Sequence, residues 1–304
     1  MVMTGQQYEI TAGEHWAAVS EVGANLRGYR VADVDVTHVH SPDAIPPKSN
    51  GAVLMPWPNR IRGGRYTFAG EERQLILSDP ALGNATHGLA NWARWIVDDH
   101  GPAEVRLHCD VVAQKGWPCE LRAEVSYRVD AGTGLVVTLS ATNTGAQALP
   151  FGAGSHPYLS AGDTPIDEVQ LRVPARSYLI TDDAQIPVRA EDVAGTENDL
   201  RALAPIGTRR FDTGFTALEP DGDDDARGGV QLCAADRVTR LWWDHPAFTT
   251  VQVFTVPELA PGRAAVAVEP MTCPPDAFNS GVGLIVLDPG DSWRGQWGVS
   301  PGAR

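Results

Sequence analysis

Hydrophobic and polar residues alternate along two neighbouring stretches of the chain. In residues 121–129 and 135–142 nearly every second side chain is apolar, which is the spacing of a β-strand with one buried face. Residues 130–134 between them contain an aspartate and two glycines, so the two stretches predict a hairpin. Similar patterns predict strands at residues 104–112, 169–173, 237–243, 249–256 and 283–287.

Helical periodicity is weak throughout, and residues 191–203 alone are expected to hold a turn or two of helix. The 31 glycines and 23 prolines are typical of many short strands joined by turns. No change of composition and no Ser/Gly-rich linker divides the chain. We therefore predict one all-β domain over residues 1–304, a large antiparallel β-sandwich of two packed sheets.

The chain is acidic, with a formal net charge of −14 at pH 7. Basic patches bind nucleic acids and anionic membranes, so this charge argues against both as partners. No apolar run approaches the roughly eighteen residues of a membrane helix, and residues 1–7 lack the segments of a secretory signal. We expect a cytoplasmic protein whose four cysteines are reduced and mostly buried.

A glutamate follows an apolar run in the last part of the chain. Residues 264–268 are small or β-branched and predict a buried strand, and the prolines from Pro270 onward are expected to end the sheet beside Glu269. A carboxylate at a sheet rim, next to apolar residues, is a candidate general base. Taken alone, a solvated glutamate at a strand end is the commoner arrangement.

Other polar segments are candidates for chemistry. Arg60 follows a proline-rich loop, and its planar fork of donors suits a sugar or a carboxylate, or pairing with a surface acid. His87 and His156 each lie in a glycine-flanked loop, although either one alone is more often structural than catalytic. His38 and His40 could share one strand face, but no third metal ligand is evident, so we expect a structural or surface role and no metal.

Several common catalytic motifs are missing from the sequence. There is no G-x-S-x-G nucleophile elbow, no P-loop and no dinucleotide-binding fingerprint after a strand. Residues 221–225 are rich in aspartate but lack the spacing of a calcium loop, so a solvated acidic loop is expected. A carboxylate and an imidazole form a natural base and acid near neutral pH. Acid–base chemistry without a cofactor is the expectation that is left.

Four short motifs in a fixed order resemble those of the aldose 1-epimerase (mutarotase) family. They are Asn59-Arg60-Ile61 with Gly63-Gly64-Arg65-Tyr66, then His87-Gly88, His156-Pro157-Tyr158 and Glu269-Pro270. Each motif is weak by itself, but their order over residues 55–279 of an all-β chain is specific. Departures from the common pattern, at residues 56–58 and 269–272, indicate a divergent bacterial-type branch.

The resemblance implies a fold, a reaction and a set of roles. The fold is a galactose mutarotase-like supersandwich with an open sugar cleft and no metal, and the reaction interconverts the α and β anomers of a hexopyranose. By analogy with the family, Glu269 would take the proton from the anomeric hydroxyl, His156 would protonate the ring oxygen and His87 would assist there. Substrate contacts are implied for Asn59, Arg60, Asp212 and Gln252.

Ring opening of a hemiacetal agrees with those residue types. A proton leaves O1 while another reaches O5, so one group starts deprotonated and the other protonated, which suits a glutamate and a histidine near pH 7. No covalent intermediate is required, in agreement with the missing nucleophile. Trp57, Trp92 and Trp243 are candidates to support the apolar face of a sugar, with core packing expected for at least one of them.

Three alternatives stay open at the level of the sequence. The sugar could carry a phosphate or a sulfonate at C6, with Arg62, Arg65 and Arg94 as counter-charges. The chain could be a non-catalytic carbohydrate-binding module, because a sandwich fold does not establish an activity. A hydrolase or lyase would need a second carboxylate facing Glu269, and Asp276 is the candidate. We expect a monomer or homodimer whose partner is a small-molecule aldohexose.

Overall fold

The computed structural model describes residues 3–220, 226–235, 237–260 and 263–302, so the acidic segment at residues 221–225 lies outside the described residues. Within them there are 27 strands, a short helix α1 (Ala277–Ser280) and two 3₁₀ helices (Pro47–Ser49 and Arg62–Gly64). The first fourteen strands are β1 (Gln7–Ala12), β2 (His15–Ser20), β3 (Leu26–Val31), β4 (Val34–Asp35), β5 (Val53–Leu54), β6 (Arg60–Ile61), β7 (Arg65–Phe68), β8 (Glu71–Gln74), β9 (Ala85–Thr86), β10 (Ile96–His100), β11 (Glu104–Val111), β12 (Leu121–Asp130), β13 (Gly134–Asn143) and β14 (Leu149–Phe151). The remaining strands are β15 (Gly154–Ser155), β16 (Tyr158–Ser160), β17 (Gln170–Arg172), β18 (Ala175–Thr181), β19 (Pro187–Asp192), β20 (Ala204–Pro205), β21 (Asp212–Leu218), β22 (Arg227–Cys233), β23 (Val238–Asp244), β24 (Thr250–Ala260), β25 (Arg263–Met271), β26 (Ile285–Leu287) and β27 (Ser292–Gly302).

The strands predicted from alternation are present. β12 and β13 form the predicted hairpin, with Asp130 paired to Gly134 at the turn. The strands β11, β17, β23, β24 and β26 each begin within two residues of the predicted position. The helix expected over residues 191–203 is wrong, since β19 runs to Asp192 and turns follow. There the side chains of Asp192 and Thr196 each accept a backbone N–H from two residues further on, and this local bonding competes with a helix.

Two large antiparallel sheets dominate the architecture. One has nine strands in the order β10-β11-β12-β13-β27-β23-β22-β17-β20. The eight-stranded sheet has the order β19-β18-β21-β24-β25-β15-β5, and β16 pairs with β25 beside this path. Strands β1 to β4 form a smaller sheet of their own, and two-stranded ribbons account for the rest of the described strands.

A buried apolar core lies between the two large sheets. Leu139 of the nine-stranded sheet and Val268 of the eight-stranded sheet belong to the same buried cluster. Trp297 of β27 donates from Nε1 to Oγ of Ser155 in β15 at 3.0 Å, a buried hydrogen bond that joins the sheets directly before His156. The predicted all-β antiparallel sandwich is confirmed, while its treatment as one domain over residues 1–304 stays a prediction.

Glu269 lies inside a strand rather than at its end. β25 continues through Pro270 to Met271, so the prediction that proline ends the sheet beside Glu269 is wrong by two residues. The Val268 N–H donates to the Pro157 carbonyl at 3.1 Å, and the nitrogen of Pro270, two residues on, faces the same side of the strand. On that side the described registers of β15 and β16 leave Pro270 without a partner. Its missing donor therefore removes no ladder hydrogen bond.

Candidate active site

Successive side chains of the eight-stranded sheet point to opposite faces, so one face packs into the core and the other carries the candidate site. The core-facing valines of β24 and β25 alternate with Gln252 and Glu269, which lie opposite each other on the outer face. Asp212 of β21 pairs with Phe254 and shares this outer face. Tyr158 of β16, paired with β25, lies there as well. Four strands thus bring polar side chains from distant parts of the chain to one surface.

His156 and Glu269 make a close contact on this surface. Nε2 of His156 lies 3.3 Å from Oε1 of Glu269, and their side chains are 7% and 3% exposed. His156 lies in the short break between β15 and β16, where its N–H donates to the Ala52 carbonyl at 3.0 Å. Tyr158 stacks on the imidazole with ring centroids 5.1 Å apart, and its hydroxyl donates to the Lys48 carbonyl at 3.0 Å. The imidazole is therefore fixed through both its backbone and its neighbouring ring.

His87 approaches this pair from a separate loop. Its ring lies edge-on to that of His156, with centroids 5.4 Å apart. The His87 N–H donates to the Asn59 carbonyl at 2.9 Å, and both residues have positive φ angles, 64° and 52°. Gly88 follows with a φ of 76°, and a Cβ there would lie 2.0 Å from the Met55 carbonyl oxygen, so glycine is required. Strained backbone of this kind concentrates at binding and catalytic sites.

Arg60 forms a second polar pair beside the histidines. Its Nε lies 3.6 Å from Oδ2 of Asp79, and its Nη1 donates to Oδ1 of Asn59 at 3.3 Å. Arg60 belongs to β6, which pairs with β9 at Thr86. This pairing places Arg60 next to His87, because His87 directly follows Thr86 in the chain.

These side chains line one open cavity of about 410 Å³. Its floor contains the buried residues His156, Tyr158 and Glu269, whereas Lys48 and Trp92 at its mouth are exposed. A cavity of this size lies within the usual range for small-molecule sites. Six of the predicted site residues line it, namely Asn59, Arg60, His87, His156, Asp212 and Glu269.

Gln252 is the predicted site residue that does not line the cavity. It is buried, and its amide donates to Oδ1 of Asp212 at 2.7 Å. Its amide thus orients the carboxylate of Asp212 from below. The direct contact between Gln252 and a sugar stays a prediction.

Burial shifts the pKa values of the central pair in opposite directions. Burial and, to a smaller extent, the charge of Asp212 raise the pKa of Glu269 well above its usual range, against an opposing effect of Arg60. Burial lowers the pKa of His156 to about 4, and Arg60 adds to that shift. Both directions favour neutral groups, whereas the sequence led us to expect a carboxylate and an imidazolium. Two neutral groups and an ion pair have the same net charge, so moving one proton from Glu269 to His156 would leave the charge of the pair unchanged.

Several polar atoms of the site are buried without a hydrogen-bond partner among the described residues. They are Nδ1 of His87, Nδ1 of His156, Oε2 of Glu269, Nε of Arg60 and Oγ1 of Thr86. Buried polar groups are normally paired, because leaving one unpaired costs about 1–3 kcal/mol. A ligand with several hydroxyl groups would supply partners of the right kind. The pKa of His87 is lowered well below its usual range by burial of the ring, by His156 and by Arg60, which leaves a neutral imidazole that can donate or accept.

Sequence reasoning assigned no role to three residues that the cavity brings together. Asp79 pairs with Arg60, Tyr158 stacks on His156, and Lys48 stands at the mouth. Tyr158 lies in one of the quoted motifs, so its position next to His156 was the available signal. Asp79 and Lys48 lie in polar loop contexts that are common on protein surfaces, and no pattern distinguished them.

Of the three candidate tryptophans, two lie in the core and one lies at the cavity. Trp57 and Trp243 are buried at 2% and 0% exposure and belong to the core, where Trp57 contacts the rings of Trp117 and Phe278. Trp92 is exposed and lines the cavity mouth. Of the three candidate platforms for a sugar, Trp92 is the one at the cavity.

The residues that supported a sugar with an anionic C6 group, and those that supported a hydrolase or lyase, do not line the cavity. The three arginines suggested as counter-charges pair with acids outside the cavity at 2.7, 3.6 and 2.8 Å, and none lines it; they are Arg62, Arg65 and Arg94. Asp276 accepts the backbone N–H of Arg62 at 2.9 Å and also lies outside the cavity lining. Its carboxylate is therefore engaged in holding a loop rather than paired with Glu269.

The remaining candidate residues are buried. His38 and His40 are 7% and 5% exposed and lie outside the strands, and His38 contacts Nδ2 of Asn50 at 3.0 Å. All four cysteines are free and buried, as predicted. Across residues 3–302, apart from the gaps given above, no three His, Cys, Asp or Glu side chains are grouped to hold a metal ion. The same part of the chain contains no helix with the length and apolar character needed to cross a bilayer.

The amino-acid sequence matches one protein family and is similar to several bacterial proteins. Residues 6–300 match the aldose 1-epimerase family. The Escherichia coli protein YihR is 31% identical over 294 residues, which cover 97% of this chain and 92% of YihR. An aldose 1-epimerase of Escherichia coli is 30% identical over 167 residues, which cover 52% of this chain and 46% of the enzyme. Identities of this size agree with the predicted divergent bacterial branch.

Solved structures share the fold. An Escherichia coli protein provisionally named aldose 1-epimerase superimposes with a TM-score of 0.84 at 22% identity, covering 98% of this chain and 99% of the other. A galactose mutarotase-like protein from Clostridium acetobutylicum gives 0.83 at 16% identity, covering 97% and 95%. The supersandwich implied by the four motifs is therefore confirmed. With the family match extending over almost all of its length, the chain belongs to the aldose 1-epimerase family.

Proposed function

We propose that this chain is a cofactor-free mutarotase that interconverts the α and β anomers of a hexopyranose. The observation that carries the proposal is the buried contact of His156 Nε2 with Glu269 Oε1, 3.3 Å apart on the floor of a polar cavity. O1 and O5 of a pyranose are both bonded to C1, so two groups this close together can address both oxygens. Membership of the aldose 1-epimerase family supports the same reaction.

Ring opening then transfers two protons and breaks one bond. Glu269, as a carboxylate, accepts the proton of the O1 hydroxyl while His156, as an imidazolium, gives a proton to O5. The C1–O5 bond breaks and a C1=O1 double bond forms, with no change of oxidation state. After rotation about C1–C2, the reverse transfers close the ring on the other face and return both groups to their starting forms.

The charges around Glu269 and His156 affect whether the two groups form the reactive ion pair. Transfer of one proton from Glu269 to His156 creates the reactive ion pair without changing the net charge of the two buried groups. Arg60 favours the carboxylate, since its positive charge lowers the pKa of Glu269 against the effect of burial. His87, as a neutral imidazole, assists at the ring oxygen, and Asn59, Arg60 and Asp212 offer hydrogen bonds to the sugar hydroxyls.

The alternatives receive less support from the same geometry. For a sugar with an anionic C6 group, the arginines first suggested lie outside the cavity, and Lys48 is the cation at its mouth. A binding module has no need of a carboxylate and an imidazole in contact at the floor. A hydrolase built on Glu269 and Asp276 lacks its second carboxylate, because Asp276 is bound to a backbone N–H.

Anomer exchange tests the proposal directly. Freshly dissolved α-D-glucose and α-D-galactose should equilibrate faster with the protein than without it, followed by polarimetry or by NMR exchange between the anomeric protons. Binding of either hexose by calorimetry with no acceleration would contradict the enzyme and favour the binding module. Acceleration restricted to hexoses with a C6 phosphate or sulfonate would replace the neutral hexose by the anionic one.

A further inference from the structure

The loop of residues 48–51 contacts both His156 and the ring that stacks on it. The Lys48 carbonyl accepts the Tyr158 hydroxyl at 3.0 Å, and the Gly51 N–H donates to the His156 carbonyl at 2.9 Å. Tyr158 in turn stacks on the imidazole of His156, with ring centroids 5.1 Å apart. A displacement of this loop would therefore move the imidazole relative to its carboxylate partner.

The backbone of the 48–51 loop is strained. Lys48 and Ser49 have φ angles of 51° and 59°, in the left-handed region that residues with a Cβ rarely adopt. Gly51 has a φ of 77°, and a Cβ there would lie 2.1 Å from the Leu26 carbonyl oxygen. Backbone in such conformations persists only where its surroundings hold it. The loop therefore depends on the contacts that anchor it.

Asn50 anchors the loop through its side chain. It is 1% exposed, and its Nδ2 lies 3.0 Å from Nδ1 of His38 and 3.2 Å from the His38 carbonyl oxygen. With the amide reversed, its oxygen would face that carbonyl oxygen, so the NH2 group is the one that donates a hydrogen to each acceptor. Nδ1 of His38 is therefore the unprotonated nitrogen of a neutral ring.

His38 is itself bound to the strand that carries Tyr158. The His38 N–H donates to the Tyr158 carbonyl at 2.8 Å, and the preceding residue Thr37 forms a β-bridge with Leu159. The bonds close a ring that runs from the Tyr158 carbonyl through His38 and Asn50 to the loop, and back to the Tyr158 hydroxyl. Asn50 completes this ring without lining the cavity.

We propose that Asn50 is a positioning residue for ring opening, which holds the imidazole of His156 in place by tying the 48–51 loop to His38. This inference rests on the proposed mutarotase function. A misplaced acid slows proton transfer in the transition state, whereas the substrate contacts at the cavity wall remain. Loss of the Asn50 amide should therefore lower kcat and leave KM nearly unchanged.

The main test is Asn50→Leu, which keeps a side chain of similar size without a hydrogen-bonding group. By NMR exchange of galactose anomers, we expect kcat per folded molecule to fall roughly tenfold, with KM within about twofold of wild type. Asn143→Leu is the matched control, because Asn143 is also 1% exposed and its Nδ2 donates to two carbonyls outside the cavity, at 2.9 and 2.8 Å. It should lose stability in urea unfolding but keep kcat per folded molecule.

A double-mutant cycle tests the route through Tyr158. Tyr158→Phe keeps the ring and removes the bond to the Lys48 carbonyl, so adding Asn50→Leu to it should lower kcat by less than about threefold. Substitutions of His38 decide the question if Asn50→Leu does not fold. His38→Asn offers an amide oxygen near the position of Nδ1 and should keep most of kcat, whereas His38→Leu removes that acceptor and should lower it.

Several results would overturn the inference. They are an unchanged kcat per folded molecule in Asn50→Leu, a raised KM with unchanged kcat, a full tenfold loss in the Tyr158→Phe background, and equal kcat values for His38→Asn and His38→Leu. If wild type accelerates no anomer exchange, the mutarotase proposal fails separately, and the imidazole ¹⁵N chemical shifts of His156 then decide. Shifts that change in Asn50→Leu but not in Asn143→Leu would support the positioning role, and shifts unchanged in Asn50→Leu would reject it.

Discussion

Replacing Glu269 with glutamine should abolish most anomer exchange while leaving the protein folded. The side chain is 3% exposed, and its Oε1 lies 3.3 Å from Nε2 of His156, so an amide of nearly the same shape fits the space. The amide cannot take up the proton of the O1 hydroxyl. The substitution therefore removes the base and leaves the floor of the cavity filled.

The magnitude follows from the loss of one positioned proton transfer. Such a transfer contributes about 10²–10⁴ in rate, or about 2.7–5.4 kcal/mol in the activation barrier. Stability should change in the other direction. Because burial raises the pKa of Glu269, wild-type stability is lost as the pH rises from the unfolded value, about 4.3, through the folded value. Glutamine has no such penalty, so Glu269→Gln should be at least as stable as wild type at neutral pH.

The assay is NMR exchange between the anomers of galactose or glucose at several substrate concentrations, with urea unfolding on the same preparations. Glu269→Asp is an informative companion, because it keeps the carboxylate but withdraws it by one methylene, and it should retain intermediate activity. Glu72→Gln, at an exposed carboxylate of β8 outside the cavity, is the matched control and should change neither quantity.

One outcome would refute the reasoning about Glu269. If Glu269→Gln equilibrated the anomers as fast as wild type, the carboxylate would not be the base, and Asp212 would become the next carboxylate to test in the cavity. If Glu269→Gln were inactive because it no longer folded, the predicted stability would be wrong instead. Urea unfolding at several pH values would distinguish loss of the base from loss of the fold.

The same structure leads to three further predictions. Arg60→Met should move the acid limb of the kcat/KM profile to higher pH, because the guanidinium lowers the pKa of Glu269; an unchanged limb would contradict this. Since the pKa of His156 falls from 6.5 to about 4 on folding, the stability advantage of wild type over His156→Asn should shrink as the pH falls between those values. This loss should reach the order of 3 kcal/mol in urea unfolding, and a constant difference would argue against a buried neutral imidazole. Gly88→Ala should destabilise the protein by about 1 kcal/mol or more and slow anomer exchange, because its Cβ would collide with the Met55 carbonyl; unfolding and exchange like wild type would contradict that.

Local patterns account for what could be predicted about the fold. The hairpin of β12 and β13 was recognisable because side chains that face the core recur at every second residue and the turn between them contains glycine. The helix at residues 191–203 failed because side-chain hydrogen bonds to nearby backbone compete with helical ones, an energy difference that periodicity does not report. The prediction at Pro270 was wrong for a related reason. A proline destabilises a strand only where a neighbouring strand requires the missing N–H donor.

The candidate site, like the fold, was predictable from the sequence only in part. Glu269, His156 and His87 were identifiable through the order of short motifs, and Arg60 through its loop. Gln252 was expected to contact a sugar, but whether a strand residue reaches the cavity depends on what covers it, and here its amide bonds to Asp212. The arginines expected near a C6 group are close to the motifs in sequence, yet each has its partner outside the cavity.

By itself the sequence determined the all-β class, the positions of eight of the 27 described strands and the set of candidate acid and base residues, because these depend on local periodicity and on motif order. Only the tertiary structure decided that His156 and Glu269 lie 3.3 Å apart, and that burial lowers the pKa of the first and raises the pKa of the second. It also decided that Trp92, rather than Trp57 or Trp243, stands at the cavity. Distances and burial arise from the pairing of strands that are remote in the chain, and no local pattern encodes which side chains that pairing covers.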